Sequence, residues 1–497
     1  MKAAAALVVG VGVVCGHAMA AEQPFEITSL RLTDRVVAAQ FADINGNARD
    51  DLVVATLGGL PPNETRTLHV YFQTEAGGFP DVPSLQRAVP RASAVFDLAD
   101  IRPTPGVELL LLRPNAVSVV SLSTDAPVVD LPVPGPSTVA AASDERGFDQ
   151  MRLVHDDIGG RRRMLIPQIG AATVMELDGT PVQQLGVGGR ANYFVSRPES
   201  LVAFESPLQL YLDTPRVSIG DINGDGLGDV LAATRHELRL FESTSDGDFT
   251  ATPTTTLVPN LVTAEDHRRG SGGVVTSGAD QNGDGLMDIL ISHVEGSFAD
   301  ATTTTRLYRN RGGAFDLDAP DDVFVSKDAL SSDLLLDING DGLPELVRIK
   351  LKFSVLEVVE IMLTRNVDAL VQTHYLGADG RFSKRPASRK KISTGISFDT
   401  FRPRGFMPRG LADFNADGRM DFISSGNGKA FEVFLENGSG PFARRTVVQK
   451  MPTAGKLRYG DFDRDGRTDW VLFDAQAEEG RITVGRSTSA LKLPKKR

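Results

Sequence analysis

The apolar residues of this chain fall into short runs separated by polar, glycine-rich segments. Leu52–Ala55, Val230–Ala233 and Trp470–Phe473 are continuous apolar runs. Glu237–Phe241 and Phe431–Leu435 alternate apolar with polar positions. Runs of this length bounded by Gly and Asp predict strands: the alternating ones half-buried, the continuous ones covered on both faces. A Gly-Xaa-Phe turn closes many of them, as at Gly77–Phe79, Gly247–Phe249, Gly312–Phe315 and Gly380–Phe382. One stretch changes period. Between Phe353 and Thr364 the apolar positions are 353, 355, 356, 359, 362 and 363. That spacing predicts a short amphipathic helix inserted between two strands.

One polar segment recurs between the strands. Asp221, Asn223, Asp225 and Asp229 occupy positions one, three, five and nine, with Gly226 at position six. The same spacing holds for Asp280, Asn282, Asp284 and Asp288, and for Asp337, Asn339, Asp341 and Glu345. It recurs as Asp413, Asn415, Asp417 and Asp421, and as Asp461, Asp463, Asp465 and Asp469. A weaker copy has Asp43, Asn45, Asn47 and Asp51, with Ala48 in place of the glycine. Two degraded copies begin near Asp100 and Asp156, where arginines or threonine replace the inner acids. The eight starting points recur about every 60 residues, a period suited to four-stranded blades. Repeated small sheets of this kind close into a ring that protects their edges. The last unit ends after its third strand, Arg481–Val484, and Phe25–Leu30 precedes the first unit without a partner. Pairing these two closes the ring with eight blades; seven, with one degraded unit misassigned, is the alternative.

Carboxylates at positions one, three and five of a tight loop can converge on one point, and calcium takes six to eight oxygens at about 2.3–2.6 Å. The glycine permits the turn, position seven offers a carbonyl, and the acid at position nine completes the shell. An EF-hand closes with Glu at its twelfth position between helices, so only the coordination logic is shared. The alternative is a set of metal-free acidic turns, since Asn-Gly and Asp-Gly are common turn formers. The net charge of −11 is a property of these loops: their ligand positions hold 18 acids, and the remaining 46 are outnumbered by 53 Lys and Arg. Five or six calcium ions with a structural role are expected.

The acidic loop between two strands, followed by the Gly-Xaa-Phe turn, resembles the FG-GAP or VCBS repeat. That resemblance covers essentially the whole chain after the first twenty residues. It implies an all-β fold, the β-propeller of integrin α subunits and of many bacterial secreted proteins, with the one short helical insertion added.

Lys2, the apolar run Ala3–Val14 and the small residues Ala18–Ala20 read as a secretory signal over residues 1–20. A single propeller domain is then expected over 21–490, with a basic tail over 491–497. The only cysteine, Cys15, lies within the signal. Disulfides, zinc–thiolate sites and cysteine nucleophiles are therefore excluded downstream of it. No other run approaches the length of a membrane span. Zincin, serine-hydrolase and P-loop motifs are absent, and the remaining histidines sit singly. The segment with Phe401, Arg402, Arg404 and Phe406 follows a basic run and offers a candidate ligand border on the face away from the acidic loops. These features predict a secreted or periplasmic, calcium-stabilised binding or adhesion scaffold. Its partner would be a protein or glycan, with no nucleic acid expected, and the chain would be a monomer. The rival class is a polysaccharide lyase, because some lyases resemble an eight-bladed calcium-containing propeller.

Overall fold

The computed structural model describes residues 23–60, 63–124, 126–140, 148–195, 208–269, 272–296, 301–352, 355–397, 402–404, 412–426, 428–436, 447–477 and 479–491. The expected signal segment and most of the basic tail lie outside them.

The strands form antiparallel units that follow one another along the chain. Unit 1 is Arg35–Ala42, Asp51–Gly58, Thr65–Tyr71 and Leu85–Ala88. Unit 2 is Val95–Ala99, Glu108–Leu112, Ala116–Ser121 and Val129–Pro132. Unit 3 is Val154–His155, Arg163–Pro167, Ala172–Met175 and Pro181–Leu185. A hairpin of Arg190–Val195 and Leu208–Asp213 follows, which the repeat pattern did not predict. Unit 4 is Arg216–Gly220, Asp229–Ala233, Leu238–Phe241 and Thr255–Leu257.

Unit 5 is Gly273–Ala279, Asp288–Glu295, Thr302–Tyr308 and Asp322–Ser326. Unit 6 is Ala329–Leu336, Glu345–Lys352, Asn366–His374 and Ser388–Ser397. Unit 7 is Phe422–Ser424, Ala430–Phe434 and Val447–Lys450, extended by a bridge between Ala412 and Asp421. Unit 8 is Lys456–Gly460, Asp469–Phe473, Gly480–Ser487 and the first strand of the chain, Phe25–Leu32. The two chain ends pair in register from Phe25 with Ser487 to Leu32 with Gly480.

Packing closes these units into a β-propeller. Each pair of neighbours shares one apolar cluster. Ala38, Leu68, Phe96 and Leu109 join units 1 and 2. Phe25, Phe414, Phe431 and Trp470 join units 7 and 8. Leu30, Leu52, Val54, Val471 and Phe473 join unit 8 back to unit 1. The five intervening junctions have clusters of their own. This arrangement explains the continuous apolar runs. Leu52 and Val54 face one neighbour while Val53 and Ala55 face the other. Trp470 is fully buried, edge-on to Phe25 at 5.6 Å and to Phe431 at 4.7 Å between ring centres.

The acidic loops join first and second strands, so they gather at one end of the ring. Helix α1 (Ala264–Arg269) lies between units 4 and 5 and was not predicted. Helix α2 (Val355–Thr364) joins the second and third strands of unit 6, at the end opposite the acidic loops. Its predicted apolar stripe does not all turn inward: Met362 and Leu363 are 66% and 80% exposed. Among the described residues, no helix is long and apolar enough to cross a membrane.

Candidate metal-binding loops

Each intact loop is shaped by two left-handed residues, not one. Position six has positive φ, as expected: Ala48, Gly226, Gly285, Gly342, Gly418 and Gly466. Position four does too: Gly46, Gly224, Gly283, Gly340, Ala416 and Arg464. This double kink turns backbone N–H groups towards the first carboxylate. Asp221 accepts from Gly224 at 2.6 Å and from Gly226 at 2.8 Å. Asp280 and Asp337 accept from the matching glycines. Asp43, Asp413 and Asp461 accept from their fifth and sixth residues. The side-chain oxygens of Asn223 and Asp225 each accept from the backbone two residues on, both at 2.9 Å.

The acid at position nine is the first residue of the second strand, or in unit 7 the bridge residue just before it, and is buried. Asp51, Asp229, Asp288, Asp421 and Asp469 are 0% exposed, and Glu345 is 2% exposed. In each Asp loop one oxygen accepts from the second loop residue and the other from the chain at or just past the end of the third strand. Asp229, for example, accepts from Ile222 at 2.8 Å and Ser243 at 2.7 Å. Asp421 accepts from Phe414 at 2.9 Å and Glu436 at 2.8 Å. Position nine therefore ties the loop to the blade, a role its spacing alone did not reveal.

Burial, the largest cause, raises these acids, and the other loop acids push the same way against the backbone hydrogen bonds. Asp421 and Asp469 reach about 8, Glu345 about 7, and Asp51 and Asp288 about 6. Asp229 is raised as well.

Ligand atoms of Asp461, Asp463 and Asp469 lie within 4.8 Å of one another. Two oxygens on opposite sides of a calcium ion would stand about 4.8 Å apart, so this trio fits around one ion. The buried Oδ1 of Asn415 has no hydrogen-bond donor among the described residues, as suits an atom aimed at a cation.

The FG-GAP-like repeat family matches residues 221–291 and 413–472. The chain carries FG-GAP-like repeats in these two stretches. No curated protein matches it by sequence. Among solved structures, an Agrocybe aegerita lectin that recognises non-reducing terminal N-acetylglucosamine is 16% identical, over 72% of this chain and 80% of that one, with a TM-score of 0.39. The Vibrio cholerae biofilm matrix protein Bap1 is 10% identical, over 94% of this chain and 92% of that one, with a TM-score of 0.40. The Dos1 propeller is 10% identical, over 93% and 95%, with a TM-score of 0.33. The propeller assignment stands on the sheets and clusters described above.

Outside the matched FG-GAP-like repeats, the degraded loops carry substitutes for the acid set. In unit 2 Glu108 keeps the buried ninth position and accepts from Ile101 at 3.0 Å and Thr104 at 3.2 Å. In unit 3 Arg163 begins the second strand, where the intact loops have their buried acid. Its guanidinium, 1% exposed, donates to the carbonyls of Ile158 and Gly247 and pairs with Glu176 at 2.8 Å. A built-in cation thus cross-links this loop. Sequence reading registered that arginines replace the acids here, but not the cross-link that Arg163 forms.

In the weak first loop, Arg464 from unit 8 lies 3.3 Å from Asp50 and 3.9 Å from Asp43. Of the candidate ligand border, Phe401 and Phe406 fall outside the described residues. Arg402 belongs to a two-residue strand paired with Ile396 and Ser397, and Arg404 is exposed, its N–H bonded to Gly395 at 2.6 Å.

Proposed function

We propose that this propeller is a secreted, calcium-stabilised binding scaffold in which the ions are structural. The convergence of Asp461, Asp463 and Asp469 carries the reading. Repetition of the same donor set in four further blades supports an architectural role over a single reactive centre, which would need an open coordination position beside an acid or base. In this reading Asp221, Asn223, Asp225 and Asp229, and their counterparts at 280–288, 337–345, 413–421 and 461–469, hold five ions. Asp43, Asn45, Asn47 and Asp51 hold a sixth more weakly, because Arg464 already places a positive charge beside them. Calcium would offset the crowding of carboxylates that burial opposes. Recognition would then fall to the variable connections at the other end of the ring, where Arg402 and Arg404 remain candidates.

Melting curves with and without excess chelator test the calcium role. A substantial drop on chelation is expected, since an ion held only by the folded chain adds to its stability. An unchanged curve would reduce the loops to turns. Binding of the calcium-loaded protein to a glycan and envelope-extract array tests the scaffold, and release of unsaturated sugars would replace it with a lyase.

A further inference from the structure

A cavity of about 820 Å³ opens between units 7 and 8, at the end of the ring away from the acidic loops. That volume lies within the ~300–1,000 Å³ range of ligand sites. Its walls are the Phe25–Leu32 and Gly480–Ser487 strands, Asp474, Ala477 and Glu479 between the second and third strands of unit 8, and residues Met451, Pro452 and Ala454 leading out of unit 7.

Arg31 and Arg481 face each other directly across the strand pair, and both line the cavity. Like charges in opposed positions destabilise a sheet unless something between them is negative. Asp474 and Glu479 also line the cavity, but neither pairs with these arginines: both arginine side chains are exposed, and neither has an ion-pair partner among the described residues. The other face of the same strand pair is built differently: there Glu26 opposes Arg486 and pairs with it. The arginine pair is thus a local departure in a chain of net charge −11.

The backbone adds a second feature. Phe25–Leu32 is the outer strand of its sheet, eight residues long, with no strand beyond it among the described residues. The outer strands of units 1, 2 and 7 have four residues each. The ten-residue outer strand of unit 6 is partly covered by Arg402–Pro403. A long open edge can accept an extended peptide through main-chain hydrogen bonds, with specificity set by the pockets for alternate side chains. Ile27, 38% exposed, lines the cavity beside Ser29 and Arg31. The one aromatic residue in the lining, Phe473, is 1% exposed, so no ring is offered for a sugar to stack on.

We propose that this cleft binds an extended acidic peptide segment, added along Phe25–Leu32 with its carboxylates on Arg31 and Arg481. The proposal rests on the scaffold reading but does not depend on calcium being the bound ion.

The test uses calcium-loaded protein and a fluorescent octapeptide alternating glutamate with valine. Controls are a lysine–valine peptide, the acidic peptide N-methylated on alternate residues, and oligogalacturonate. The acidic peptide should bind and weaken with salt, while the lysine and N-methylated peptides should not bind. Arg31→Glu with Arg481→Glu should weaken binding about tenfold or more, a change of about 1.4 kcal/mol. Melting and metal content should be unchanged, and Arg481→Gln alone should give a smaller loss. Absence of peptide binding, retained affinity in the charge-reversed protein, or equal binding of the N-methylated peptide would overturn it. So would oligogalacturonate binding at these arginines without peptide binding. If the array yields a ligand while the peptide fails, the cleft falls and the scaffold stands. If neither binds, both fall.

Discussion

The backbone N–H of Met287 donates to the carbonyl of Asp221 at 2.6 Å, tying the eighth residue of one acidic loop to the first residue of the loop before it. Val107 makes the same bond to Asp43 at 3.0 Å and Thr468 to Asp413 at 2.6 Å. Met420 to Ile338 at 2.8 Å and Asp50 to Phe462 at 3.3 Å reach the second residue instead, the last of these closing the ring. The loops are therefore coupled to one another as well as to their own blades. The sixth loop has Pro344 at this position, which has no N–H to give. At that junction units 5 and 6 are joined instead by a parallel bridge between Thr302 and Ala329.

Two acids of one loop should separate the structural and metal roles. Asp421→Ala leaves the buried N–H groups of Phe414 and Glu436 without their acceptor and should destabilise the protein by about 1–3 kcal/mol per orphaned group even in chelator. Asp417→Ala, at an exposed position, should matter only in calcium. Denaturant melts of both variants in the two buffers check this; an Asp417 effect of equal size in chelator would contradict it.

Ala416 holds φ 58° at an exposed position where four other loops in the set have glycine. A left-handed alanine costs about 1–2 kcal/mol, partly offset by the lower backbone entropy of unfolded alanine. Ala416→Gly should therefore raise stability by roughly 0.5–1 kcal/mol, read from denaturant midpoints.

Much of this architecture was legible because the physics repeats. Alternate residues of the continuous runs pack in opposite directions, so Leu52–Ala55 and Trp470–Phe473 mark central strands whatever surrounds them. The pairing of Phe25–Leu32 with the last strand followed from the one strand each chain end lacked. The second kink at position four was hidden because Ala416 and Arg464 adopt it without being glycine. The role of Arg163 was hidden for a different reason: arginines in place of the acids look like a lost motif until the carbonyl partners, 84 residues away in the case of Gly247, are in place. Helix α2 exposes Met362 and Leu363 because Ile361 and the acidic residues Glu357 and Glu360 line the cavity beneath it, beside Lys350 and Lys391.

The ion pair of Arg348 with Asp333, 3.1 Å apart and almost fully buried, lies at the junction of units 5 and 6. Arg348 also reaches Ser326 at 2.9 Å and stacks 5.0 Å above Phe324. Arg348→Ala strands a buried carboxylate and should cost about 3–5 kcal/mol. Replacing both partners with Met and Leu should cost much less, and equilibrium unfolding of the single and double variants checks the difference.

Acid raised by burial reverses the usual pH trend. Asp421 and Asp469 titrate near 8 in the folded, metal-free chain, against about 3.9 when unfolded. Between those values the folded chain binds protons that the unfolded chain has lost, so stability falls as pH rises. Chelated protein should melt higher at pH 5 than at pH 8. Saturating calcium should displace those protons and invert the order. Melting scans at both pH values, with and without the ion, check the sign.

Calorimetric titration of calcium into chelator-stripped protein tests the central claim most directly. The account predicts at least five ions per chain, with a sixth of lower affinity that Arg464→Ala strengthens by removing the charge beside Asp43. A stoichiometry of two or fewer would contradict it.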